Sequence, residues 1–111
     1  LVANAPAISV GVTPAELQAW LTKEGSSPTA YLLDASGTVG RLYSAKTTPH
    51  MFVITADGTL VYDGAIDSIR SAKISDIAKA TNYVTVALDA VKAGKPVKPS
   101  VTQPYGCSVK Y

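Results

Sequence analysis

Residues 51–62 constrain this chain most. Met51-Phe52-Val53-Ile54-Thr55 is a dense run of strand-forming residues, Ala56-Asp57-Gly58-Thr59 is a turn built on a preferred hairpin pair, and Leu60-Val61-Tyr62 follows. Together they predict an antiparallel hairpin, and any fold for the chain has to be built around it. The residues before it, Thr47-Thr48-Pro49-His50, cannot be helical, because the residue preceding a proline is pushed towards extended backbone.

The other elements are read outward from the hairpin. Thr13-Pro14-Ala15-Glu16 is a helix start: Thr13 caps free N–H groups, Pro14 sits where no N–H is needed, and Glu16 completes a capping box. A helix over 14–24 follows, with Leu17, Trp20 and Leu21 on one face and Gly25 at its end. Ala30-Tyr31-Leu32-Leu33-Asp34 is a short apolar run between turn signals, as in a strand buried on both faces. Val39, Leu42 and Tyr43 have the spacing of a short second helix. Ile8, Val10 and Val12 alternate as in a short extended segment, and Ser68 to Ser75 is polar and predicts an exposed loop.

Asp76 to Ala93 predicts one long helix. Its stripe is Ile77, Ala80, Tyr83, Val84, Ala87, Leu88 and Val91, and Gly94 stops it. Lys95 to Tyr111 contains Pro96, Pro99 and Pro104 and predicts an extended tail. The organisation is therefore one domain over 1–94 followed by a tail over 95–111, without internal repeats.

Composition removes several classes of function. A chain of 111 residues makes one domain that buries roughly two-thirds of its unfolded surface. With 47% hydrophobic and 16% charged residues it is not disordered, and a single cysteine excludes an internal disulfide framework. A net charge of +2 leaves no electrostatic footprint for nucleic acid. No apolar run approaches the roughly 18 residues of a transmembrane helix. The first residue is Leu1 and the only methionine is Met51, so a removed leader or a larger N-terminal part is expected. Leu1 to Ala7 has neither the basic region nor the long apolar region of an intact signal peptide.

The order of elements resembles the second half of a thioredoxin-type fold: helix, strand, short helix, proline-containing loop, hairpin, long helix, tail. The resemblance becomes specific at Lys46-Thr47-Thr48-Pro49-His50-Met51-Phe52-Val53-Ile54 and at Asp57-Gly58-Thr59-Leu60-Val61-Tyr62-Asp63-Gly64-Ala65-Ile66-Asp67. These runs resemble the redoxin branch of the thioredoxin superfamily, the peroxiredoxin-like proteins related to alkyl hydroperoxide reductase and thiol-specific antioxidant. Ala87 to Val97 and Pro104-Tyr105-Gly106-Cys107-Ser108-Val109-Lys110-Tyr111 are similar to the ending of one bacterial subgroup.

The resemblance implies an α/β fold, a partial thioredoxin-like one with an extended proline-containing tail. It places Pro49 on the family's cis-proline, with Thr48 before it and His50 near the same groove, in a loop that faces the redox cysteine. That cysteine lies on the family's first helix, behind its first strand, and neither appears here. The function implied is part of a thiol–disulfide or peroxide-reducing protein, with this chain inactive alone and needing no cofactor. A thiol or disulfide protein or a larger complex is the partner implied, and a periplasmic or exported location follows from the same analogy. The alternative is a non-catalytic thioredoxin-like binding or structural subunit.

The single residues have competing readings. Cys107 is either a resolving or regulatory thiol or a small tail residue without redox duty. His50 has no second histidine to share a metal with, so a packed or hydrogen-bonded loop histidine is expected and a metal site would need another chain. Asp57 and Asp67 read as turn residues, Asp63 and Asp89 as a solvated face, and Trp20 and Tyr83 as core. The four lysines and absent acids from Ala90 to Tyr111 read as a solvated surface.

Overall fold

The computed structural model describes residues 2–3 and 13–111. Its elements run β1 (Val2–Ala3), α1 (Pro14–Lys23), α2 (Thr38–Leu42), β2 (Thr47–Thr48), β3 (Met51–Ile54), β4 (Leu60–Gly64), α3 (Ile74–Ile77), α4 (Tyr83–Lys92) and β5 (Cys107–Ser108). The fold is mixed α/β with two small antiparallel sheets among the described residues, one ordered β1-β3-β4 and one pairing β2 with β5. The alternating segment at Ile8 to Val12 lies outside the described residues. No helix among them is long and apolar enough to cross a membrane.

The hairpin forms as its sequence requires. β3 and β4 pair Met51 with Gly64, Phe52 with Asp63 and Val53 with Tyr62, with a bulge between Val53 and Ile54. Strand residues alternate between faces. Met51 and Val53 meet Tyr62, Val84 and Ala87 in the main core, edged by Ile66, Tyr83 and Val97. Phe52 is fully buried and packs against Tyr43 and His50. β3 is thus covered on both faces, which explains its uninterrupted apolar run.

α1 also starts as expected. The Glu16 N–H donates to Thr13 Oγ1 at 3.2 Å and the Thr13 N–H donates to Glu16 Oε2 at 2.7 Å, closing the capping box. Its apolar face is less covered than the sequence suggests. Leu21 is buried, but Trp20 is 56% exposed and not a core residue.

Two expected elements differ. Ala30 to Asp34 is not a strand, and its apolar side chains are not buried. A strand exists only through ladder partners, and no described strand lies alongside to supply them. The expected helix from Asp76 to Ala93 is two helices, α3 and α4, separated at residues 78–82. Thr81 and Asn82 are drawn off the helix by the preceding loop. Ser68 N–H donates to the Thr81 carbonyl at 3.0 Å, Tyr83 N–H donates to the Ile66 carbonyl at 3.0 Å, and Asn82 bridges Asp67. Asn82 then caps α4, its side-chain oxygen accepting the Thr85 N–H at 3.0 Å. Ile77, expected in the stripe, is consequently 67% exposed.

The tail runs along the domain. The Asp63 N–H donates to the Ser100 carbonyl at 2.9 Å and the Thr102 N–H donates to the Asp63 carbonyl at 3.0 Å. Pro104 is buried, and the chain then returns to pair β5 with β2.

Candidate functional site

The tail brings Cys107 to the loop before the hairpin. β2 and β5 pair Thr48 with Cys107 and Thr47 with Ser108, and the Val109 N–H donates to the Lys46 carbonyl at 3.0 Å. The Thr48–Pro49 peptide bond is cis. Gly106 makes this approach possible. Its φ is +141°, and a Cβ there would overlap the Thr48 carbonyl and stand 3.3 Å from Pro49 Cδ. Only glycine tolerates such backbone so close to another strand.

The end of the tail is anchored separately. The Tyr111 hydroxyl donates to the Ala45 carbonyl at 2.6 Å, and the Arg41 guanidinium lies 4.8 Å from the centre of the Tyr111 ring. Cys107 itself is a free, exposed thiol. Three of the predicted site residues, Thr48, Pro49 and Cys107, therefore share one edge of the molecule.

His50 sits below that edge in a different role. It is 3% exposed, with its ring stacked on Phe52 at 4.4 Å. The Lys46 N–H donates to Nδ1 at 3.0 Å, so the proton of the neutral ring is on Nε2, which lies 2.6 Å from Asp63 Oδ1 and donates to it. Both nitrogens are spent on the protein, and no hydrogen bond among the described residues joins His50 to Cys107. Nor do the described residues contain a cluster of three metal-ligating side chains.

Asp63 is the residue that the sequence reading misplaced, as a solvated acid. The signal was present in the register. His50 and Phe52, two apart, point to one face, and Asp63 lies across from Phe52.

A second polar group surrounds a cavity of about 300 Å³ between the β4–α3 loop and the tail, lined in part by Asp67, Arg70, Tyr83, Gln103 and Tyr105. Tyr105 donates its hydroxyl to Asp67 Oδ1, which also accepts the Ile69 N–H at 3.1 Å. Burial first, and the Asp67 carboxylate second, push the Tyr105 phenol up from 10 to about 12. The folded chain then holds this proton where the unfolded chain has released it. The associated stability is complete below about pH 10 and is lost as pH rises towards 12. In a spectrophotometric titration, Tyr105→Phe should remove a late-ionising tyrosine and Asp67→Asn should move it towards neutral pH. An unchanged curve in both variants would refute the pairing.

No family model matches the chain, and no curated protein matches it. Solved structures do. A hypothetical protein from Sinorhizobium meliloti 1021 is 32% identical, with a TM-score of 0.73 over 89% of this chain. An uncharacterised conserved protein from Geobacillus kaustophilus is 27% identical, with a TM-score of 0.71 over 89%. The chain spans about half the length of these structures, 52% of the first and 51% of the second.

Proposed function

We propose that this chain is the C-terminal portion of a peroxiredoxin-like or thioredoxin-like thiol–disulfide or peroxide-reducing protein. One observation carries the reading: an extended segment bearing the only cysteine pairs, backbone to backbone, with Thr48 at the loop where the resemblance puts the redox groove. Reducing a peroxide ROOH to ROH and water takes two electrons and two protons, supplied as two thiols become one disulfide. This chain holds one thiol, so the second must come from polypeptide outside it. By itself the chain is inactive. The neighbouring structures, twice its length, leave room for the missing strand and helix.

The experiment is a peroxidase assay of this chain and of the product of the longer reading frame, each with and without Cys107→Ser. The short chain is expected to consume no peroxide above buffer. The longer product is expected to be active and to lose about tenfold or more with Cys107→Ser, as for a thiol that resolves a mixed disulfide. Peroxide consumption by the short chain that survives Cys107→Ser would overturn the reading, as would a reading frame without an upstream cysteine. The second outcome would favour a non-catalytic thioredoxin-like subunit, to which the exposed Leu32 and Leu33 side chains also lend support.

A further inference from the structure

Residues 29–33 have the composition of a buried strand in the setting of a surface loop. Leu32 is 83% exposed and Leu33 54%. From Gly25 to Leu33 there is no charged residue. Sheet edges that are meant to face water are blunted by lysines, inward charges or proline. Thr29, Ala30, Tyr31, Leu32 and Leu33 include none of these. Among the described residues, 27–33 make no backbone hydrogen bond, so their donors and acceptors are free to pair.

Beside this segment lies a groove of about 500 Å³ between it and α1, lined in part by Gln18, Leu21, Thr22, Pro28, Ala30 and Tyr31. It offers a seat for side chains of an added strand. Size says where such a strand comes from. The two similar structures match 89% of this chain with about half of their own length, 52% and 51%. In each, a body of similar size is joined to the part that this fold resembles.

We propose that residues 29–33 are a strand-docking edge, and that its occupant is an apolar extended segment from the other half of a longer polypeptide of that kind. The added strand pairs its backbone with residues 29–33 and sets alternate side chains on Leu32 and into the α1 groove. This rests on the reading of the chain as part of a longer protein, and on none of its redox chemistry.

The probe is the half of the Sinorhizobium meliloti protein that this chain does not match, expressed separately and titrated into the full 111-residue chain. Saturable one-to-one binding is expected, with amide hydrogen exchange at residues 29–33 slowed at least tenfold in the complex. The double substitution Leu32→Glu, Leu33→Glu should weaken binding at least tenfold. Circular dichroism checks that this variant folds, and the exchange measurement on the wild-type chain decides the matter without it. Absence of binding, binding without protection at 29–33, or self-association of the chain through these residues would each overturn the proposal. Protection at 29–33 without peroxide turnover leaves the docking edge standing and removes the redox reading. Turnover without protection does the reverse.

Discussion

Gly64→Ala is expected to destabilise the chain by about 4 kcal/mol or more, a large part of the roughly 5–15 kcal/mol that holds a small domain together. Gly64 ends β4 at φ +155°, and a Cβ there would lie 2.6 Å from the Thr102 carbonyl oxygen and 2.8 Å from the Thr102 nitrogen, and overlap the Thr102 hydroxyl. Relief cannot come from a rotamer change, because two of these atoms are backbone. The tail would have to move away, but the Thr102 N–H is bonded to the Asp63 carbonyl and the Asp63 N–H to the Ser100 carbonyl. The Thr102 hydroxyl also lies 2.7 Å from the buried Tyr62 hydroxyl and accepts the Ala65 N–H at 2.9 Å, while Tyr62 donates to the Ala65 carbonyl.

Overpacking of this kind costs about 1–3 kcal/mol, and each buried group left unpaired adds about 1–3. A fall in Tm of more than about 15 °C follows for a domain of this size. Gly58→Ala is the control. Gly58 has φ +86° with nothing within 4 Å of its Cβ position, so only the backbone penalty of roughly 1–2 kcal/mol remains. Thermal unfolding followed by circular dichroism makes the comparison. Equal Tm values for the two variants would show that the tail is not seated on β4.

The features legible in the sequence are those whose causes are local. The capping box around Thr13 and Glu16 needs four consecutive residues, and the hairpin needs an Asp-Gly turn between two apolar runs. Both are found where the residues put them. The misreadings have tertiary causes. Ile77, Ala80, Tyr83 and Val84 continue a helical period across Thr81 and Asn82, and only the pairing of those two with the distant Ile66–Ser68 loop ends α3. Trp20 and Leu32 have the character of core residues, but the packing surface that would bury them is not among the described residues.

The site divides in the same way. That Thr48 and Pro49 stand outside a helix follows from proline stereochemistry, and that His50 is a packed histidine follows from its isolation. Its partner Asp63 needed the hairpin register. The approach of Cys107 to Thr48 needed the whole course of the tail, and its local mark is Gly106, the residue without a Cβ at the point of contact.

His50→Ala is expected to cost about 3 kcal/mol of stability and to leave the reactivity of the Cys107 thiol unslowed. The ring is buried against Phe52, so truncation opens a cavity, and large-to-small changes at such sites cost about 2–5 kcal/mol. It also leaves the Lys46 N–H without its acceptor and the Asp63 carboxylate without its donor. Asp63→Asn should cost much less, about 1 kcal/mol, because the Asp63 side chain is 35% exposed and water replaces much of what is lost. A double-mutant cycle between the two should give a coupling of about 0.5–3 kcal/mol.

The thiol measurement separates scaffold from catalysis. A base that activated Cys107 would be missed at once, and modification by a disulfide reagent would slow by about a hundredfold. A histidine that only holds Lys46, Phe52 and Asp63 together would, when removed, loosen the β2–β5 pairing and leave the rate equal or raised. Both ring nitrogens of His50 already have protein partners, and the geometry therefore predicts the second result. A marked slowing at constant fold would assign His50 to the chemistry of the thiol instead.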